Sequence, residues 1–306
     1  MNRWAHAPGM DAPPLATQGL TKIYGRRRTV HNVNLHVPQG ALYALLGPNG
    51  AGKTTTLRCL LGLTRPTSGT CLVLGQDVRR PEARRQVAGM IDAPAFYPNL
   101  TPAENLRVVA ELRGVPFRQA LDTLGTVDLR GAAHRPARTF SLGMKQRLGI
   151  ALALVGDPAI LILDEPQNGL DPQGMLDMRT LLKDLQRRGH TVVVSSHLLG
   201  EVQQFADHVG IMRQSELVLQ DTFQAFAGRA ATHLELETPD GVTARQVLDR
   251  AGISAQVQGD RLLLPSTQDQ AGVARLLLDA GLTWTRLAPS GTSLDRLYFD
   301  LTGDAA

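Results

Sequence analysis

Thiols are scarce in this 306-residue chain. Its two cysteines, Cys59 and Cys71, show no metal-ligand spacing. So sparse a pair excludes a disulfide framework and fits a reducing compartment. Cys59 stands in an apolar run and reads as a small core residue. Aromatic residues make up 4%, too few for the stacking platforms that hold single-stranded nucleic acid. Charge of one sign is not concentrated either. The formal net charge is +4, and the tightest basic run, Arg26-Arg27-Arg28, reads as a solvated loop. No nucleic-acid partner is expected. No apolar run approaches the ~18 residues of a membrane span, and no signal-peptide core stands near the N-terminus. Long heptad-rich helices are absent too. What remains is the expectation of a cytoplasmic protein that reaches a membrane only through a partner.

What is present begins with Gly47-Pro48-Asn49-Gly50-Ala51-Gly52-Lys53-Thr54. It fits the phosphate-loop pattern G-x-x-x-x-G-K-[ST] and lies between an apolar strand, Ala41–Leu46, and a helix-forming run that starts with Thr55. Glycines let backbone N–H groups converge on phosphate oxygens without Cβ interference. The helix start near Gly52 adds unpaired N–H groups and a positive dipole end. Lys53 is expected to reach the β- and γ-phosphates, and Thr54 to hold Mg²⁺.

Residues 1–14 hold three prolines and no apolar period, so a mobile tail is expected. Residues 15–46 read as strands, with turns at Tyr24-Gly25 and Pro38-Gln39-Gly40. Residues 82–157 read as mostly helical. Ala159–Leu163 and Thr191–Ser195 are apolar runs suited to buried parallel strands, with helices predicted over Leu176–Arg188 and Leu199–Ala206. This alternation predicts an α/β fold with a mostly parallel sheet. From about Thr232 the order becomes βαββαβ plus a helix, which predicts a small ferredoxin-like α+β domain. Its hairpin is expected to turn at Gly259-Asp260. The expected domains are 15–225, with a helical part over about 87–157, and 230–306.

The strand Ile160–Leu163 runs into Asp164-Glu165-Pro166. An acidic pair after a strand can cap a helix. Beside a phosphate loop it predicts instead that Asp164 holds Mg²⁺ and Glu165 polarises the attacking water.

With these motifs the chain resembles the ATP-binding subunits of ATP-binding-cassette (ABC) transporters, over residues 15–220. The family signature LSGGQ is matched by the variant Phe140-Ser141-Leu142-Gly143-Met144. The resemblance implies that Ser141 and Gly143 contact the γ-phosphate bound by a second copy. It implies that Tyr24 stacks on adenine and that Asn168-Gly169-Leu170-Asp171 lies across the dimer seam. It also gives His197 the part of the switch histidine at the γ-phosphate. The fold implied is a P-loop ATPase with an antiparallel β subdomain and a helical subdomain. ATP and Mg²⁺ are the implied cofactors. The implied partners are a membrane permease, which brings the chain to the inner face of the membrane, and a second copy docked head to tail.

One position departs from the family. Asp92, in Gly89–Leu100, takes the place of a glutamine that senses Mg²⁺. An aspartate could still meet Mg²⁺, yet unpaired it would repel the γ-phosphate. The variant signature, this carboxylate and the C-terminal domain resemble the bacitracin- and lantibiotic-type multidrug exporters. A soluble cassette ATPase with a non-transport role, a non-hydrolysing scaffold and an importer subunit remain open from the sequence.

Overall fold

A computed structural model describes residues 13–230, 232–259, 261–265, 268–291 and 294–303. Most of the tail expected over residues 1–14, and Asp260 of the expected hairpin turn, lie outside them. The chain divides between Gln224 and Ala225 into two compact units.

The first unit opens with β1 (Leu15–Tyr24), β2 (Arg27–Val33) and β3 (His36–Val37). Next come β4 (Leu42–Leu46) and α1 (Lys53–Leu60), with the phosphate-loop sequence between them. β5 (Ser68–Val73) and β6 (Gln76–Asp77) return to β1, giving an antiparallel sheet ordered β2-β1-β5-β6 with β3 beside β1. Both cysteines are buried in the core beneath it. Burial pushes the Cys59 thiol up to about 11 and the Cys71 thiol up to about 12.

After α2 (Pro81–Arg85), residues Val87–Met90 form a strand, β7. This corrects the expectation that the helical part begins near residue 87. Val87, Ala88 and Met90 are buried, and Gly89 lets the Ile162 carbonyl approach where a Cβ would collide. Tertiary pairing decides here, because four residues are too few to fix a helix. The helical part is α3 (Pro102–Arg113), α4 (Phe117–Thr126) and α5 (Leu142–Leu154). α3 begins at a capping box in which the Thr101 hydroxyl accepts from the Glu104 N–H and the Glu104 carboxylate accepts from the Thr101 N–H. It ends at Gly114 in the left-handed conformation.

β8 (Ile160–Asp164), α6 (Pro172–Arg187), β9 (Thr191–Ser196) and α7 (Leu199–Val202) follow, then β10 (His208–Arg213), β11 (Glu216–Thr222) and the first two residues of α8 (Phe223–Gly228), the rest of which belongs to the second unit. The predicted helix over Leu199–Ala206 closes after one turn, because the chain must bend into β10. The second sheet runs β11-β10-β4-β9-β8-β7, parallel throughout except for the β10–β11 hairpin. β4, β8 and β9 are buried at every residue. Because these strands are parallel, the segments after Leu46, Met90, Asp164 and Ser196 all leave the same edge of the sheet. In open parallel sheets that edge is where ligands bind.

The second unit holds β12 (Thr232–Glu237), α9 (Gly241–Arg250), β13 (Gln256–Gln258), β14 (Arg261–Pro265), α10 (Gln270–Asp279), β15 (Arg286–Gly291) and the start of α11 (Leu294–Thr302). Its sheet, β13-β14-β12-β15, is antiparallel at every pair. This is the ferredoxin-like order that βαββαβ predicts. Leu234, Leu236, Leu262 and Leu264 pack with Leu248 and Leu277 of the two helices.

Candidate functional site

The phosphate loop is folded as a nest. Gly47, Gly50 and Gly52 have φ of 155°, 83° and 104°. A Cβ on Gly47 would come within 2.5 Å of the Met212 carbonyl oxygen, and one on Gly52 would strike that of Thr29. Only glycine lets β10 and β2 close around the loop. α1 then starts at Lys53 with no side-chain cap, so its first N–H groups remain free for an anion. A cleft of about 470 Å³ opens here, lined among others by Tyr24, Asn49, Gly50, Lys53, Thr55 and Glu165.

Lys53 is buried, and its Nζ donates to the carbonyls of Gly47 at 2.6 Å and Pro48 at 3.3 Å. Burial pulls its pKa below the ordinary lysine range, and the Glu165 and Asp164 carboxylates oppose that shift. The Thr54 hydroxyl donates to Asp164 Oδ2 at 2.9 Å. The second oxygen of Asp164 accepts from Ser195 Oγ, which itself accepts from the Glu165 N–H at 2.8 Å. Ser195 thus holds both carboxylate residues in register. No motif in the sequence marks Ser195 as a site residue.

Glu165 has φ 47°, a left-handed conformation that costs a non-glycine residue energy and concentrates at functional sites. Its carboxylate lies between two nitrogen partners, with Oε1 3.6 Å from Lys53 Nζ and Oε2 3.0 Å from His197 Nδ1. The structure therefore brings Lys53, Thr54, Asp164, Glu165 and His197 together. It also puts Tyr24 on the cleft wall, with the Lys22 ammonium 4.8 Å from its ring centroid.

Two groups of predicted residues have their partners outside this cluster. Asp92 has φ 61° and its carboxylate forms an ion pair with Arg58 of α1. The charge that was expected to repel phosphate if unpaired has a partner, which the sequence did not show. Ser141 caps α5, its hydroxyl accepting from the Met144 N–H at 3.3 Å. With Gly143, Gly169, Leu170 and Asp171 it lines a second cleft of about 470 Å³. No residue lines both clefts.

This combination of nest, paired carboxylates and capped helix has relatives. A profile described as ABC transporter matches residues 30–168. The chain is 38% identical to the bacitracin transport ATP-binding protein BcrA of Bacillus licheniformis, covering 94% of this chain and 97% of that one. It is 42% identical to the lantibiotic transport ATP-binding protein SrtF of Streptococcus pyogenes, over 68% of this chain and 91% of that one. Among solved structures it is similar to an ATP-binding subunit of an ABC transporter, with 28% identity and a TM-score of 0.63 over 70% of this chain and 92% of that one. It is also similar to CbiO1 of Clostridium perfringens, part of an ABC transporter complex, with 25% identity and a TM-score of 0.65 over 79% of this chain and 97% of that one. With identity of this degree spanning nearly the whole of both chains, the protein belongs to the ABC transporter family, as an ATP-binding subunit that hydrolyses ATP to energise transport.

Proposed function

We propose that two copies of this chain dock head to tail with two ATP molecules between them. Each ATP is held by the phosphate loop of one copy and the Ser141–Gly143 segment of the other. The observation that carries this reading is the separation of the two clefts, which share no lining residue in one copy. An uncapped helix start faces one cleft and the Ser141-capped start of α5 the other. Both suit phosphate oxygens.

Within each site the residues have distinct tasks. The loop amides and Lys53 bind the β- and γ-phosphates, and Lys53 must first release the carbonyls of Gly47 and Pro48. Thr54 and Asp164 offer a hydroxyl and a carboxylate oxygen side by side, a donor pair that fits a hard divalent cation. They would hold Mg²⁺, which neutralises charge on the phosphates when bound. Asp92 is committed to Arg58 and is left out of that pair. Glu165, flanked by Lys53 and His197, orients and polarises the attacking water. His197 then steadies the developing charge. Tyr24 stacks on adenine.

The transported cargo is proposed to be an antibiotic or antimicrobial peptide, moved outward. The names of the relatives support this reading. A separate permease subunit would span the bilayer, since no helix among the described residues is long and apolar enough to do so. The chain would sit against the permease at the cytoplasmic face. The test is Glu165→Gln with ATP in size-exclusion chromatography. A dimer that forms with ATP and dissolves on nucleotide removal is expected. A variant that stays monomeric with ATP bound overturns the shared-site reading.

A further inference from the structure

The second cleft is built by two helices whose starts must hold a fixed spacing. α5 begins at the cap Ser141, and α6 at the cap Asp171, whose carboxylate accepts from the Gly174 N–H at 2.9 Å. Arg147 lies six residues past the first cap and Asp177 six past the second. That is about 9 Å along each helix axis. At this matched depth Arg147 Nη2 donates to Asp177 Oδ2 at 2.5 Å. The other oxygen of Asp177 accepts from Gln173 Nε2 at 2.8 Å, one turn back on α6.

Arg147 is 20% exposed, so the pair is partly shielded, and a charge-assisted bond of this kind outweighs an open surface pair. A further contact, Arg147 Nη1 to Asp128 at 3.4 Å, ends on a carboxylate that is 96% exposed and adds little. Arg147 and Asp177 line the second cleft together with Ser141 and Asp171. A Cβ on Gly143 would stand 3.7 Å from the Leu170 side chain, and one on Gly169 3.0 Å from that of Leu142. Small residues let the two segments approach but do not fix their separation. The polar bridge does.

We infer that Arg147 is a positioning residue. Through Asp177 it sets the distance between Ser141 and the Asn168–Asp171 segment, so that both meet the partner copy's ATP together. This rests on the shared-site reading above and names the device that keeps half of that site in shape. Arg147 is absent from the lining of its own copy's phosphate-loop cleft and lines the second cleft instead. Its loss should therefore spare ATP binding by a single copy and damage the assembled site.

The experiment compares Arg147→Gln, Asp177→Asn and the exchange Arg147→Asp with Asp177→Arg, each in the full chain, alone and on the Glu165→Gln background. Titration with a fluorescent ATP analogue checks that each variant keeps a folded phosphate loop. The expected result is affinity within about twofold of the parent, kcat lowered by about tenfold in each single variant, and recovery of much of that loss in the exchange. The ATP-driven dimer of Glu165→Gln should weaken by about tenfold when Arg147→Gln is added. Normal kcat and an undiminished dimer in Arg147→Gln overturn the inference while leaving the shared site standing. Failure of Glu165→Gln itself to dimerise removes both. Loss of ATP binding in every variant, including the exchange, also overturns it, because Arg147 would then serve the stability of the whole fold.

Discussion

The two units bury their sheets in opposite ways. In the first, β4, β8 and β9 are covered on both faces, and their sequences read as unbroken apolar runs. In the second, β14 alternates, with Leu262 and Leu264 inward and Arg261 and Pro265 exposed. A doubly covered parallel sheet leaves only its strand ends open. There the chain puts Lys53, Asp164, Glu165 and His197. The antiparallel sheet has two faces to spend, and its inward leucines are spent on its own helices. Within this chain, chemistry follows from where a sheet has no side chains to bury.

This contrast can be tested by substitutions of decreasing expected effect. Glu165→Gln should lower turnover by about 10²–10⁴-fold with ATP still bound. Phosphate release at saturating ATP measures it, and normal turnover would remove Glu165 from the water. Next come matched core truncations. Ile162→Ala in β8 and Leu264→Ala in β14 each delete a fully buried side chain, costing about 2–5 kcal/mol. Urea unfolding should register both. Only Ile162→Ala should also depress hydrolysis, because β8 aims Asp164. Equal losses of hydrolysis would erase the functional contrast between the units.

A smaller effect is expected at the cleft wall. Tyr24→Ala should weaken ATP binding by about 1 kcal/mol, roughly fivefold, with kcat kept. GTP binding measured in parallel should fall by a similar factor if stacking is the whole interaction. Smallest is Glu201→Gln. Burial raises the pKa of the Glu201 carboxyl, and His197 opposes the shift. Stability from a raised carboxyl is intact below the ordinary glutamate range and is lost as pH rises through the raised value. Glutamine should therefore lift Tm by about 1–2 °C at pH 8 and leave it unchanged at pH 4. A rise at both pH values would point to packing instead.

The sequence was most legible where burial is complete. Ile160–Leu163 and Thr191–Ser195 were readable because a doubly buried strand has nothing polar to interrupt it. The phosphate loop was readable because its glycines answer to geometry. β7 was not, since Val87–Met90 is four residues in a stretch whose apolar spacing suits a helix, and only pairing with β8 decides. β10 carried no signal that singled it out, because Gly210 breaks a short run beside Tyr43. In the site, Ser195 and the Arg58–Asp92 pair were hidden for another reason. Each links residues about 30 or more apart in the chain, and no local pattern encodes such a meeting. Arg147 and Asp177 share that separation.

The two buried thiols have a practical consequence. With pKa values near 11 and 12 and almost no exposure, Cys59 and Cys71 hold negligible thiolate at neutral pH. To a maleimide or a spin-label reagent the folded first unit is blank. A cysteine introduced at Arg138 and another at Arg26, exposed residues near the two clefts but outside their linings, could then carry donor and acceptor dyes without removing either native thiol. Energy transfer between labelled copies would report the meeting of the two clefts in real time.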